Sequence, residues 1–201
     1  IDKSHNLHLI FYTNSITHSY LLVNKLCAIV KLVIFMNIKK IVVGQLEENC
    51  YILEKDGKYL VIDPGDEFKK IDAEIKGELE EILVTHNHFD HIGALKELEE
   101  KYGLKANDYK RNTFKYEVIE TPGHTSDSKT FYFPDENVMF TGDFLFYNSI
   151  GRMDLPTGSQ EKMQQSLEKI SKYPLDTKIY PGHFYSGVLK MSLEIVKNFF
   201  F

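Results

Sequence analysis

The histidines of this 201-residue chain are concentrated in three short motifs, and this distribution constrains the fold more than any other feature of the sequence. Five of the eight histidines lie in T-H-N-H-F-D-H, T-P-G-H-T and P-G-H, and the other three precede Met36. If these side chains act together, the fold must bring three distant segments to one place. Together with two aspartates, they supply enough donors for two metal ions that share one carboxylate. The seven candidate metal ligands are His86, His88, Asp90, His91, His124, Asp143 and His183.

The candidate ligands follow predicted strands. Short apolar runs at 82–85, 138–141 and 178–180 lead directly into His86, Asp143 and His183. Side chains just beyond strand ends are held by the sheet yet open to solvent, so ligands from different strands can converge at one edge. Taken singly, each motif has a plainer interpretation: a solvated loop, a surface histidine after a Pro-Gly turn, or a turn aspartate. Their shared position after strands favours a metal site.

Composition narrows the functional class. A net charge of −5 and a pI of about 5.9 give no basic surface for nucleic acid, so no nucleic-acid partner is expected. Two cysteines, Cys27 and Cys50, do not make a disulfide framework and are typical of a reducing, cytoplasmic location. The metal ligands are therefore expected to be imidazole and carboxylate rather than thiolate.

The first 35 residues differ from the rest of the chain. They contain no Gly, Pro, Glu, Gln, Arg or Met, whereas Met36-Asn37-Ile38 reads like a natural start. We expect residues 1–35 to be a non-native or dispensable extension and residues 36–201 to be the domain that carries the candidate metal ligands. The alternative is a membrane-directed segment, because residues 20–36 are strongly apolar; Lys25 and Lys31 interrupt that run, and no membrane partner is expected.

The remaining pattern predicts strands joined partly by hairpins and partly by helices, hence an α/β (α+β) fold. Strands are predicted at 38–43, 50–54, 59–62, 82–85, 116–120, 130–133, 138–141 and 178–180. Helices are predicted at 68–76, 92–102, 160–172 and 186–199.

In order along the chain, H-x-H-x-D-H, T-P-G-H-T, T-G-D-x-L-F, G-R-x-D-L-P and Y-P-G-H resemble the metallo-β-lactamase superfamily, and within it the glyoxalase II-like hydrolases. The resemblance implies a four-layer αβ/βα sandwich with a dinuclear site at the edge of two sheets. It places His86, His88 and His124 on the first metal, Asp90, His91 and His183 on the second, and Asp143 between them. It also implies that Asp63 orients the metal loop, with a simple turn residue in D-P-G as the alternative, and that Arg152 pairs with carboxylates under the site.

The expected activity is hydrolysis of a thioester, similar to hydroxyacylglutathione, by a metal-bridging hydroxide; a small-molecule thioester or ester is the expected partner. Two Zn²⁺ are the expected cofactors, with Fe or Mn as alternatives, and Asp90 and Asp143 are the expected catalytic carboxylates. Other functions with this fold are a mononuclear iron persulfide dioxygenase and a degenerate metal-binding protein. A β-lactamase is disfavoured because the site has Asp143 in place of a thiolate ligand, and a ribonuclease because no basic RNA-binding surface is visible.

The chain departs from the glyoxalase II pattern in three places. Only 32 residues separate His91 from His124, so residues 104–116 are expected to replace a longer region. Phe184 follows His183 where relatives often have glycine. The helical C-terminal domain of glyoxalase II, which supplies much of the glutathione site, has no counterpart in the sequence.

Among the aromatic residues, Phe89, Phe146 and Tyr147 either line the substrate opening or belong to the core.

Overall fold

Two mixed sheets form the centre of the molecule. The computed structural model describes residues 36–200, so the expectations for residues 1–35 lie outside the described residues. The first sheet has the order β1-β2-β3-β4, and the second has the order β5-β6-β7-β8-β9. The strands are β1 (Asn37–Val43), β2 (Glu48–Lys55), β3 (Lys58–Ile62), β4 (Glu78–Leu83), β5 (Glu117–Glu120), β6 (Lys129–Phe133), β7 (Val138–Gly142), β8 (Lys178–Pro181) and β9 (Gly187–Val188).

Each sheet contains one parallel pair, and the other pairs are antiparallel. β3 and β4 are parallel, with Ile62 opposite Leu83, and β7 and β8 are parallel, with Gly142 opposite Pro181. Parallel strands end at the same edge of a sheet, so the loops that follow them leave from one place. The loops after β4, β7 and β8 carry most of the candidate metal ligands.

The structure describes five helices within residues 36–200, and four of them pack on the outer faces of the sheets. Ser159 caps the fourth, since its side chain accepts a hydrogen bond from the backbone N–H of Lys162. The third ends at Gly103, which adopts the left-handed conformation that glycine favours at a helix C-terminus. The helices are α1 (Phe68–Asp72), α2 (Phe89–Ile92), α3 (Leu95–Tyr102), α4 (Gln160–Ile170) and α5 (Leu189–Phe200).

Alternating side chains along the strands build three apolar cores. Tyr51 and Leu53 of β2 face the other sheet, whereas Cys50 and Ile52 of the same strand face α1 and α3. In the second sheet, Tyr132 faces α4 and α5. One core therefore lies between the sheets and one under each pair of helices, which confirms the predicted four-layer sandwich. No helix within residues 36–200 is long and apolar enough to cross a membrane.

Several predicted boundaries were wrong. α1 ends at Asp72 rather than 76, because the chain turns there and buries Ile75 against the first sheet. The helix predicted at 92–102 is divided into α2 and α3 near Gly93, where an added Cβ would lie 2.1 Å from the carbonyl oxygen of Gly65. The last helix does not begin at 186, because Gly187 and the next residue pair with β8 as β9.

Residues 104–116, the segment expected to be shortened, cover the edge of β4. The Asn107 backbone N–H donates to the carbonyl of Ile82 (2.9 Å), and its side chain exchanges two hydrogen bonds with the backbone of Val84. The buried carboxylate of Glu81 accepts hydrogen bonds from the Arg111 backbone N–H (2.7 Å) and the Tyr116 hydroxyl. These bonds close an edge that would otherwise leave backbone groups unpaired.

Candidate metal centre

Three histidines from two segments form the first donor group. His86 and His88 lie in the loop after β4, and His124 lies in the Pro-Gly turn after β5. Nδ1 of His88 is 3.0 Å from Nε2 of His86 and 3.0 Å from Nε2 of His124. Two donors on a tetrahedral Zn²⁺, each about 2.1 Å from the ion, are separated by about 3.4 Å. The histidine nitrogens are close to that spacing, so one ion fits among them.

Asp90, His91 and His183 form the second donor group. Oδ2 of Asp90 is 3.3 Å from Nε2 of His183 and 3.9 Å from Nε2 of His91. Asp90 and His91 lie on the single turn of α2, whereas His183 follows β8. The group therefore joins the loop edge of the first sheet to that of the second.

Asp143, directly after β7, lies between the two groups. Its Oδ1 is 3.4 Å from Nε2 of His91, and its Oδ2 is 3.6 Å from Nε2 of both His124 and His183. A carboxylate in this position can offer one oxygen to each of two ions. The structure thus brings all seven sequence-predicted donors close together, and their assignment to two metal ions stays a prediction.

Two buried atoms at the centre have no hydrogen-bond partner among residues 36–200. They are Nε2 of His91 and Oδ1 of Asp143. Buried polar atoms are almost always paired, so an unpaired donor set aimed at a common point indicates a missing ligand. Imidazole nitrogen and carboxylate oxygen are donors that Zn²⁺, Fe²⁺ and Mn²⁺ accept. The residues therefore fit a divalent metal centre.

The charges of the centre are strongly coupled. Burial lowers the pKa of His86 to about 2, which keeps its imidazole neutral and able to act as a ligand. Burial alone would lower the pKa of His91, but Asp63 and Asp143 outweigh it and raise the pKa well above its ordinary value. Burial would raise the pKa of Asp143, but the charge of His91, whose Nε2 is 3.4 Å from Oδ1, holds it below its ordinary value. The negative side chains of the centre thus favour positive charge there.

Side chains and backbone behind the donors fix their orientation. Asp63 accepts hydrogen bonds from Nδ1 of His91 (3.0 Å) and from the backbone N–H and hydroxyl of Thr85 (2.7 and 2.6 Å). Holding the proton on Nδ1 of His91 leaves Nε2 free to face the centre. Nδ1 of His124 donates to the backbone carbonyl of Arg152 (2.8 Å). The expected pairing of Arg152 with carboxylates under the site was wrong, because its exposed guanidinium pairs with Asp154 at the surface.

Two residues at the start of β2 belong to the site although the sequence analysis did not identify them. Glu48 is buried, neither of its carboxylate oxygens has a hydrogen-bond partner among residues 36–200, and Oε1 lies 3.8 Å from Nδ1 of His91. Burial raises the pKa of Glu48 well above its ordinary value. Asn49 holds the turn that carries His183, since its backbone N–H donates to Gly182 (2.7 Å). The only local indication of their role in the sequence was that two polar residues, Glu48 and Asn49, directly precede the apolar run of β2.

One side of the centre faces solvent. His88, Asp90, Asp143 and His183 are partly exposed, whereas the other three donors are buried. Phe89, beside Asp90, is 73% exposed and forms part of the rim. Phe146 is buried at 7%, and Tyr147 is half-buried against Gly187. A ligand therefore approaches over the Asp90–His183 side.

A helix–sheet–sheet–helix sandwich with two His/Asp donor groups at one edge of its sheets defines a class of metal-dependent enzyme. The chain belongs to the metallo-beta-lactamase superfamily, whose family profile matches residues 43–106 and 112–183. It is 31% identical to the probable metallo-hydrolase YqgX of Bacillus subtilis, over 74% of this chain and 90% of that protein. It is 35% identical to a hydroxyacylglutathione hydrolase of Pelagibacter ubique, over 70% of this chain and 69% of that protein.

Solved structures agree with this family. The B3 metallo-beta-lactamase BLEG-1 superposes with a TM-score of 0.73 at 26% identity, covering 79% of this chain and 97% of the other. TTHA1623 in a di-iron-bound form superposes with a TM-score of 0.72 at 28% identity, covering 79% and 98%. The glyoxalase II-like resemblance and the fold are thus confirmed.

Proposed function

We propose that this protein is a dinuclear metal-dependent hydrolase of thioesters similar to hydroxyacylglutathione. The observation that carries the proposal is the position of Asp143, whose two oxygens lie 3.4 and 3.6 Å from histidine nitrogens of both donor groups. The similarity to a hydroxyacylglutathione hydrolase supports the substrate class. We further propose zinc as the metal, because imidazole-rich sites with carboxylates suit it.

His86, His88 and His124 would hold one ion, Asp90, His91 and His183 the other, and Asp143 both. When bound, such ions activate water at neutral pH and polarise a carbonyl oxygen. Activated water and a polarised carbonyl suit a thioester, whose thiolate is a good leaving group.

The chain itself contributes orientation and solvent control. Asp63 keeps a proton on Nδ1 of His91, and the carbonyl of Arg152 keeps one on Nδ1 of His124. Both rings are therefore held with Nε2 toward the centre. Less side-chain entropy is lost when the site binds its ligands, because the rings are already oriented. The partial exposure of Asp90 and His183 leaves one side open for the substrate.

The test is thiol release from S-lactoylglutathione by the full chain loaded with zinc, followed with a chromogenic thiol reagent. We expect turnover that a chelator abolishes and that added zinc restores. Asp135→Asn, an exposed charge change in the β6–β7 turn, serves as a control that retains activity. Two metal ions bound with no turnover of several thioesters would contradict the proposal. One iron per chain with oxygen consumption on a persulfide would assign the alternative dioxygenase.

A further inference from the structure

Phe184, directly after His183, combines an unfavourable backbone conformation with a largely exposed side chain. Its φ is +64°, in the left-handed region that side chains other than glycine and asparagine rarely adopt. Its side chain is 67% exposed, so little of the ring is removed from water. Glycine would adopt this backbone without strain and would expose no apolar ring.

The turn is nevertheless held firmly in place. The carbonyl oxygen of Phe184 accepts hydrogen bonds from Nδ2 of Asn49 (3.1 Å) and Nζ of Lys40 (3.0 Å). Nδ2 of Asn49 also donates to the carbonyl of Pro181 (3.0 Å). These bonds tie the turn to the first sheet, so the fold fixes the backbone position from which the Phe184 side chain projects.

That position is beside the metal centre. The Phe184 ring centroid lies 6.1 Å from the His183 ring and 5.7 Å from the Phe146 ring, with the two phenyl rings at 74°. Phe146 lies 6.5 Å from His183 and is itself buried. A buried ring and an exposed ring thus flank a partly exposed candidate ligand and leave an apolar surface on the open side of the centre.

We propose that the exposed ring of Phe184, packed against the buried ring of Phe146, forms an aromatic subsite that binds a planar apolar group attached next to the scissile bond of the substrate. The inference rests on the proposed function, because it assigns the subsite to a substrate of that centre. Edge-to-face packing of a substrate ring against Phe184 is worth about tenfold in affinity. The planar group belongs either to the acyl part or to the thiol part of the thioester.

Binding to the zinc-loaded full chain tests the subsite without requiring turnover. Phenylacetate and acetate probe the acyl side, and phenylmethanethiol and ethanethiol probe the thiol side, all measured by calorimetry. We expect one aromatic ligand to bind at least about tenfold more tightly than its aliphatic partner, and that pair identifies which end of the substrate the subsite takes.

Two variants separate the ring from the backbone. Phe184→Gly and Phe184→Asn both accept the left-handed conformation and both remove the ring, so both should lower the aromatic preference about tenfold. Leu175→Ala, which removes another exposed apolar side chain in the turn before β8, should leave the preference unchanged. The Phe184→Gly protein should unfold at a temperature no lower than that of the native protein, since it relieves strain.

Equal affinities within both native pairs, or a preference that survives in both Phe184 variants, would overturn the subsite. Marked destabilisation of both variants would also overturn it, because the ring would then support the fold. These outcomes differ from failure of the proposed function, which would leave the binding preference intact while no thioester is cleaved.

Discussion

Asp143 lies 3.4 to 3.6 Å from histidine nitrogens of both donor groups. Asp143→Asn is therefore expected to lower metal content and activity together, with kcat/KM falling on the order of 100-fold or more. Native mass spectrometry measures the metal content of the unsubstituted protein and of each variant. Thiol release measures the activity of the same proteins. Asp135→Asn controls for the change of charge. Full activity with both metals retained would exclude a bridging role.

Asp63 acts on the centre through His91 and Thr85. Asp63→Ala leaves three buried donors without their acceptor, which should cost about 2–4 kcal/mol of unfolding free energy. It should also weaken metal binding about 10- to 100-fold, because the His91 ring loses its fixed orientation. Competition with a fluorescent chelator and urea unfolding measure these losses. Asp66→Ala, an exposed change in the same loop, should do neither.

At the scale of single residues, the sequence predicted the donors and Asp63 behind them, but not Glu48 or Asn49. The donors lie in motifs a few residues long, and their spacing is visible locally. Glu48 lies next to His91 only because β2 and α2 meet in the folded chain, and no local pattern records that contact. The metal-ligand role of the seven donors stays a prediction that the variants above test.

The strands were more predictable than the helices. Alternate side chains of β2 face two different cores, so both faces of the strand are buried and the sequence shows a short continuous apolar run. The end of α1 depends on the burial of Ile75 against the first sheet, which is a tertiary contact. β9 is two residues long, too short for any periodicity, and exists because it pairs with β8.

One of the hydrogen bonds that hold the segment covering β4 is formed between two buried side chains. The Tyr116 hydroxyl donates to Glu81, and both side chains are buried. Tyr116→Phe removes a donor from a buried carboxylate, so it should cost about 1–3 kcal/mol of unfolding free energy at neutral pH. Chemical unfolding monitored by circular dichroism measures the loss, and Tyr185→Phe, 79% exposed, should have no effect.

The same bond has a defined pH dependence. Burial raises the pKa of Tyr116 above its ordinary value of 10, and the hydrogen bond to Glu81 raises it further. The folded protein therefore holds the phenol proton more tightly than the unfolded chain. This contribution is complete below pH 10 and is lost as the pH rises above it. The stability difference between the native protein and Tyr116→Phe should accordingly shrink above pH 10; a constant difference would contradict the assigned bond.

For the whole molecule, the inter-sheet core reaches the first described residue. Met36 is buried in that core with residues of both sheets. A fragment that starts at Met36 should therefore unfold cooperatively, whereas one that starts at Ile38 should be less stable, by about 1–3 kcal/mol for a lost buried methionine. Differential scanning calorimetry compares the two fragments. A gradual transition in the Met36 fragment would show that residues 1–35 contribute to the fold.

Metal removal should lower the melting temperature of the whole chain. A ligand that binds only the folded state stabilises it by about 2.7 kcal/mol at 100 times its dissociation constant. We expect a chelator to lower Tm by several degrees and zinc to restore it. The chelator should lower the Tm of Asp143→Asn by less. If the chelator leaves the Tm of the native protein unchanged, the centre does not bind a metal ion that stabilises the fold.

Each donor group draws on both sheets. His86 and His88 come from the loop after β4 in the first sheet and meet His124 from the second sheet, while Asp90 and His91 meet His183 in the same way. Bound ions would thus act as a removable cross-link between the two halves of the chain. Two separately produced fragments, divided within residues 104–116, would then associate with an affinity set by the free metal concentration. The metal centre would then also hold the two halves of the chain together, so the amount of bound metal would measure their association.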